Sequence, residues 1–531
     1  CKRLRWFFSS VIMGKQYYIY GERMSKSPEE PPEDPNVVVS LIPIILLILM
    51  LSTNVIVFKQ DATSGPNQIA LLIAAAIAAF IACFHLKIPY QKIENKVIKS
   101  VSISISACLI LLIVGSLIST WIMGGIVPTI IYYGLNTISP RVFLPVTCII
   151  CTIVSMTTGS SWTTTSTIGV ALIGIGNALQ IPAPQVAGAI ISGAYFGDKM
   201  SPLSDTSNLA PAVAGSELFE HIRHMTYSSV PGLLIAMLLF AILGSHYSYE
   251  NIDLKSIAAV TAVLKSSFNI SPWNFIPPLA VFLLVRQKIA AIPVLSFGVL
   301  IGAVWIFFFQ PQLILLKTSS MAFDQVYQVL FECAFQGFKI ETSNQMVNEL
   351  LSRGGMTSML PTVWLVVMAM MFGGTMEASG MLKSIARTVL MGVRSAAGLI
   401  TATVISCIFL NITASDQYLA VVVPGRMFRQ AYRRYDLHPK NLSRALEDAG
   451  TMTSPLVPWN SCGAYQSSIL GVATLDYLPF CFFNFISPLV SIFLAQTGIS
   501  IAKIQRSRQL RQSPGLVTVP TSPVYSAKDM G

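Results

Sequence analysis

The stretch Gly197–Pro211 reads GDKMSPLSDTSNLAP, and it closes a run, residues 142–197, that contains no Asp, Glu, Lys, Arg or His at all. A charge-free run of that length is too long for a soluble core element and too apolar for a surface one, so it reads as membrane. A dense polar cluster at the end of such a run is costly to hold in a bilayer, which makes it a functional candidate. Asp198, Lys199, Asp205, Thr206 and Asn208 all fall within it.

Composition agrees. The chain has 531 residues, 53% of them hydrophobic and only 11% charged, with a mean hydropathy of +0.64. Soluble domains carry about 25% charged residues, so the surface of a soluble protein this size could not be covered. The expected fold class is an all-α polytopic membrane protein with about 10–12 membrane segments. The formal charge of +11 does not point to nucleic acid. The bases gather at the ends and in short stretches: Lys2 to Arg5, Lys87 to Lys99, Arg426 to Arg444 and Lys503 to Arg511. Positive segments beside apolar spans are an orientation signal, and they place both termini in the cytoplasm. The nine cysteines are scattered with no metal-ligand spacing, which argues against a disulfide or zinc framework.

Along the chain the reading gives a cytoplasmic tail over 1–36, a first membrane repeat over 37–247, a linker over 248–272, a second membrane repeat over 273–502 and a basic cytoplasmic tail over 503–531. Within these, 89–100 and 425–445 read as basic loops and 311–356 as a soluble-looking loop. Helix breaks are expected at Gly124, Gly125 and Pro128, and again in TTGSSWTTTS at 157–166, where glycine, proline and hydroxyl residues interrupt apolar runs. Two segments echo each other across the halves. Thr158-Gly-Ser-Ser-Trp162 is similar to Thr413-Ala-Ser-Asp-Gln417, and Ser201-Pro-Leu203 with Asn208 is similar to Ser454-Pro-Leu456 with Asn460. Paired breaks at matching places are how transporters build ion sites.

The chemistry of these positions suits a hard monovalent cation. Carboxylates, hydroxyls, amide oxygens and carbonyls freed by proline are the oxygen donors that Na⁺ takes. Asp198, Asp205, Thr206 and Asn208 bring that set in the first half, with Ser160 in the upstream break; Ser415, Asp416, Asp448, Ser454 and Asn460 bring it in the second. Desolvation favours the protonated form of a carboxyl and a neighbouring cation favours the ionised form. A carboxylate that binds either Na⁺ or H⁺ therefore exchanges them by mass action. Lys199 could neutralise the site when it holds no cation. Plainer readings compete: Asp198 and Lys199 as a structural ion pair at a helix end, Glu377 and Glu447 as helix-terminal charges, Asp416 as an interfacial group, and Trp121, Trp162 and Trp459 as interface rings. Enzyme chemistry fares poorly. Gly-Ser-Ser-Trp at 159–162 lacks a partner base, His221 and His224, spaced i, i+3 in a polar loop, have no evident third metal ligand, and no phosphate-binding glycine loop occurs.

Taken together, the motifs resemble the NhaC family of bacterial Na⁺/H⁺ antiporters. The resemblance is carried by Trp121 with GGIVPTIIYYGL at 124–135, TGSSWTTTSTIGVALIGIG at 158–176, GDKMSPLSDTSNLAP at 197–211, FGGTMEASGML at 372–382, TASDQYLAVVVPGRMF at 413–428 and LSRALEDAGTMTSPLVPWNSCGAY at 442–465. It implies a multi-pass secondary transporter of the cell membrane, of the ion-transporter superfamily type, with two inverted repeats and a polar hairpin in each. Na⁺ and H⁺ are then the transported ions, with no cofactor, and a homo-oligomer is compatible with the class. Carried over by motif, the coupling residues are Asp198, Asp205, Asp416 and Asp448, with Na⁺ expected at Asp198, Asp205 and Asp416. The family also includes exchange of malate and protons for lactate and Na⁺, which makes organic-anion exchange the alternative.

Overall fold

The computed structural model describes residues 35–504, apart from 59–61, 63, 248–253, 288, 319, 392 and 415. The expected tails fall almost wholly outside the described residues, as does Ser415. The described chain is built from helices and the turns between them. Eight of these helices are long and apolar enough to cross a membrane on their own, and nine if the pair Thr474–Phe480 and Phe482–Thr497, bent by 58°, counts as one span. The sequence reading of 10–12 segments also counted stretches that form shorter or more polar helices, such as Ala183–Met200 and Ser461–Leu470.

The first half runs α1 (Val37–Phe58), α2 (Pro66–Phe80), α3 (Tyr90–Met123), α4 (Ile126–Thr137), α5 (Pro140–Thr158), α6 (Ser161–Thr164), α7 (Val170–Ala178), α8 (Ala183–Met200), α9 (Asp205–Ala214) and α10 (Leu218–Ser245). A π-helical turn, Thr165–Gly169, joins α6 to α7. After α11 (Leu254–Ser267) come α12 (Ile276–Arg286), α13 (Ala291–Phe309), α14 (Pro311–Lys317), α15 (Phe323–Gln336), α16 (Gln345–Leu351), α17 (Leu360–Ala378) and α18 (Met381–Met391). The chain ends with α19 (Ala396–Thr413), α20 (Gln417–Arg434), α21 (Pro439–Leu446), α22 (Ser461–Leu470), α23 (Thr474–Tyr477) and α24 (Phe482–Thr497).

One regularity organises the list. Helices starting at Pro140, Ser161, Ala183, Asp205 and Leu218 have counterparts starting at Ala396, Gln417, Pro439, Ser461 and Thr474, each 256 residues later. Local chemistry repeats with them. Ser160 and Asp416 each cap the helix after a break by accepting an amide hydrogen three residues on, the standard N-cap bond. The ten-residue helices α9 and α22 both end on a left-handed glycine, Gly215 and Gly471.

Several stretches differ from the sequence reading. Residues 311–356 hold three short helices rather than a soluble loop. Val326, Val329, Cys333 and Phe338 are buried, and Ser116 of α3 donates to the Ala334 carbonyl at 2.9 Å. The amphipathic spacing of those apolar residues was masked by the polar ones around them. The basic stretch 89–100 forms the first three turns of α3. That helix has 34 residues and would span about 51 Å, well beyond a hydrocarbon core of about 30 Å, so its lysine-bearing end reaches past the apolar slab. The stretch 425–445 is likewise mostly helix, the end of α20 and the start of α21. Within 248–272, α11 buries Val260 and Leu264, and Phe268 just beyond it is buried too. Trp121, considered as an interface ring, is buried and donates to the Gly298 carbonyl at 3.0 Å.

Two packing features fix neighbouring helices against each other. On α8, Gly193 and Gly197 let the backbone of α5 come close: a Cβ at Gly197 would lie 2.6 Å from the Ser155 Cβ and 2.7 Å from the Met156 amide. Small residues four apart are how membrane helices pack without a hydrophobic driving force, and Ser155 adds a 2.6 Å hydrogen bond to the Ala194 carbonyl. Second, the break between α3 and α4 is tied by buried Asn274, whose amide donates to Thr129 Oγ1 at 2.8 Å and to the Gly125 carbonyl at 3.3 Å. The kink at Gly125, φ +75°, is thereby a fixed corner.

Candidate functional site

Asp198 lies in the last turn of α8, where α8 meets the break between α5 and α6. That break turns on Gly159, φ +71°, where a Cβ would stand 2.7 Å from the Leu203 carbonyl carbon; the TGSSW turn and the Ser-Pro-Leu turn thus press backbone to backbone. Ser161 opens α6, and its amide and hydroxyl both donate to Asp198 Oδ2, at 3.0 and 2.6 Å. The helix following Ser161 adds its positive end to those bonds. Proline at 202 ends α8, and Ser207 donates to the Lys199 carbonyl left at that end, 2.7 Å away. Asp205 opens α9 and is exposed, as is Asn208, whose amide is spent on the Pro202 and Ser204 carbonyls at 2.9 and 2.7 Å. Thr206 is buried beside Ser204, with hydroxyls 3.2 Å apart.

In the second half, buried Asp416 caps α20 through the Leu419 amide at 3.0 Å. Ser454 donates to the Thr451 carbonyl at 2.7 Å and lies 3.4 Å from Gln417 Oε1. Asn460 caps α22 and donates to Asn411 Oδ1 at 3.1 Å, while Asn411 holds the Gly450 carbonyl at 2.7 Å. These amides tie down the π-helical turn Glu447–Thr451. Trp459 is held the same way, to the Ile412 carbonyl at 2.7 Å.

The two halves meet through charge and through rings. Lys199 of α8 forms an ion pair with Asp448 of the π-helical turn, and neither side chain has any exposure. Ser487 of α24 accepts from Lys199 at 3.0 Å, and Ser228 of α10 donates to Asp448 Oδ1 at 2.9 Å. Arg444, also fully buried, places Nε 4.0 Å from Asp448 Oδ2, an ion pair but too long for a hydrogen bond. Trp162 of the first-half break stacks on Tyr465 of α22, centroids 4.0 Å apart, and Tyr465 donates to the Trp162 carbonyl at 2.8 Å.

Of the residues singled out from sequence, Asp198, Asp205 and Asp416 all lie near Tyr418. Ser160 caps the helix after the first break. Lys199 is bonded to Asp448 rather than to its neighbour Asp198. Among the described residues, no three His, Cys, Asp or Glu side chains stand close enough to hold one metal ion between them, so an ion here would draw on hydroxyl and carbonyl oxygens as well. Sequence reasoning missed Glu447, weighed only as a helix-terminal charge. It is fully buried, and neither carboxyl oxygen has a hydrogen-bond partner, although Thr451 and Thr206 are its neighbours and Lys199 and Asp198 act on it electrostatically. The signal was present: Glu447 and Asp448 are adjacent acids in an otherwise uncharged stretch, 445–502 apart from Asp476.

Apolar helices too long for a soluble domain, enclosing charged side chains on paired helix breaks, define a polytopic membrane transport protein. The profile of the Na⁺/H⁺ antiporter family matches residues 193–499, and the chain belongs to that family. It is 38% identical over 460 residues to the Na⁺/H⁺ antiporter NhaC of Alkalihalophilus pseudofirmus, covering 87% of this chain and 96% of that one. It is 39% identical over 433 residues to the malate-2H⁺/Na⁺-lactate antiporter of Bacillus subtilis, covering 82% and 90%. The arginine/ornithine antiporter ArcD of Halobacterium salinarum is 33% identical over 471 residues, covering 88% and 93%.

Proposed function

We propose that the chain exchanges Na⁺ for H⁺ across the cell membrane by alternating access, with buried carboxylates shared between the two ions. One observation carries this. The buried charged side chains among the described residues are Asp198, Asp416, Glu447 and Asp448 against Lys199 and Arg444, four acids to two bases. An uncompensated charge in a dry interior costs several kcal/mol. Protons or Na⁺ ions remove that cost, and they compete for the same oxygens. In this reading Na⁺ and H⁺ compete for Asp198 and Asp416, beside Asp205, Thr206, Ser204 and the freed carbonyls, while Glu447 and the Lys199–Asp448 pair lie on the proton's route. The 256-residue recurrence supports two repeats of one unit, which we take to be inverted with respect to each other. Alternation would then rock one half against the other.

The test is proton flux in proteoliposomes on adding Na⁺, read with a pH-sensitive dye. Proton release that saturates with Na⁺ is expected, with apparent Na⁺ affinity weakening by up to about tenfold per pH unit below the competing group's titration, the limit for one proton. No Na⁺-dependent flux would overturn the reading. The same vesicles supplied with malate and lactate test the second reading. It is favoured by Trp162 Nε1, Tyr195 Oη and both amide atoms of Gln466, buried without hydrogen-bond partners, which suit an organic solute's oxygens. It is opposed by Lys199, the candidate anion clamp, being bound to Asp448.

Orientation gives a further expectation. Residues 436–438 pair with 502–504, through His438 N to the Ala502 carbonyl and Ile504 N to the Asp436 carbonyl, both 2.9 Å. The 425–445 stretch and the start of the basic tail therefore share a face. Reporter fusions at residues 95 and 530 are expected both to report the cytoplasm; opposite sides would refute that topology.

A further inference from the structure

His221 and His224 have no part in the exchange scheme so far. The sequence placed them in a polar loop; both lie instead on the buried face of α10, the same face that carries Ser228. His221 has no exposure and neither ring nitrogen has a hydrogen-bond partner. His224, one turn along, is nearly buried and places Nε2 3.2 Å from Asn441 Oδ1. At the near end of α10, Glu220 and His438 form a partly exposed pair 3.8 Å apart. At the other end, Ser228 holds Asp448. A row of proton-carrying groups thus runs from an exposed edge to the sealed Lys199–Asp448 pair.

The surroundings of that row are unusual for a packed interior. Besides the two His221 nitrogens, Arg444 Nε and Nη2 and Asp448 Oδ2 are buried without hydrogen-bond partners. Buried polar groups are nearly always satisfied by protein or by ordered water, and water that fills such gaps makes two to four bonds to them. The groups facing His221 are Lys199 from α8, Asp448 from the π-helical turn and His224 from its own helix. Those facing His224 are Arg444, Lys440 and Asn441 from α21, with Asp448 beyond. Helix α24 carries no charged side chain, and α5 and α9 carry one each: Arg141, at the far end of α10 beside Gly244, and Asp205, beside Asp198.

We propose that His221 and His224 pass the exchanged proton between the Lys199–Asp448 pair and the face bearing Glu220 and His438, through water bound to the free His221 ring nitrogens. The imidazole accepts a proton on one nitrogen and releases one from the other, and returns to its neutral form with the opposite tautomer. Ring rotation or a second transfer resets it. Nothing else on α10 can do this: Ser228 and Ser229 relay only by hydroxyl rotation, and the rest of the buried face is apolar or glycine. The proposal rests on the Na⁺/H⁺ reading above.

Two assays separate the proton path from that reading. Counterflow of ²²Na⁺ against unlabelled Na⁺ needs the ion site but no net proton movement, whereas Na⁺-driven proton flux needs both. In proteoliposomes, His221→Gln is expected to lower proton flux by about tenfold or more, in the range of a lost proton-transfer group, with counterflow at the parental rate. His224→Gln, less deeply buried, is expected to show the same split with a smaller loss, and it decides the matter if His221→Gln does not fold. Unchanged proton flux in the variants overturns the path. So does a parallel loss of counterflow and flux in folded protein, because it makes the histidines structural. If instead the unmodified protein shows counterflow but no Na⁺-driven proton flux, the antiport reading itself fails and the proton path falls with it.

Discussion

Asp448→Asn is expected to lower the stability of the protein by about 3–5 kcal/mol, the usual consequence of removing one partner from a buried ion pair. The change leaves Lys199 charged and fully enclosed, with only neutral acceptors in range, the new amide oxygen and the Ser487 hydroxyl at 3.0 Å, and with Arg444 close by. A protein with a margin of about 5–15 kcal/mol would lose much of it, and the apparent melting temperature in detergent should fall accordingly. The double change Lys199→Met with Asp448→Leu is expected to recover at least half of the loss, because replacing both charges by apolar groups of similar volume is often nearly neutral. It should not recover exchange. If the double variant is no more stable than Asp448→Asn, the pair is not what makes that position sensitive. If the double variant exchanges ions at the parental rate, the pair has no part in coupling.

Asp198→Asn is expected to leave the fold intact and to weaken Na⁺ binding by about a hundredfold or more, equivalent to about 2.7 kcal/mol. The amide oxygen can accept both Ser161 hydrogens as the carboxylate does at 3.0 and 2.6 Å, so the break keeps its shape while the charge is lost. Calorimetric or ²²Na⁺ binding titrations read this directly. Parental affinity in Asp198→Asn would transfer the role to Asp416. Asp205→Asn is expected to cost less than about tenfold, because Asp205 is exposed and charge interactions near water are screened.

Legibility followed the physics of each signal. The charge-free run and the GDKMSPLSDT cluster revealed membrane and site because they are local anomalies in composition. Asp198, Lys199 and Asp448 were visible as polar residues in oily surroundings. Their partnerships were not, because the Lys199–Asp448 pair closes over 249 residues and no spacing rule reaches that far. Glu447 was undervalued because a carboxylate at a helix end looks the same in sequence whether it meets solvent or, as here, nothing. The histidines of α10 were placed in a loop because their polar neighbours Glu217, Glu220 and Arg223 hid a stripe that continues into an apolar helix. The spans 311–356 and 425–445 were misjudged for a similar reason: amphipathic helices beside a bundle carry too many polar residues to register as membrane.

The distance between Lys199 and Asp448 along the chain also bears on how the protein is made. The lysine leaves the ribosome first, and at about 5–20 residues per second its counter-ion follows only after roughly 12–50 s. Throughout that interval a finished first half has a cation bound for the bilayer interior and no acid to meet it. A lone lysine at mid-membrane costs about 2.5–3.5 kcal/mol even by insertion measurements, so α8 would settle early only in a polar setting, at the insertion machinery or the lipid headgroups. Final docking of α8 between α5 and α10 is then a late event in biogenesis, timed by translation of the second half.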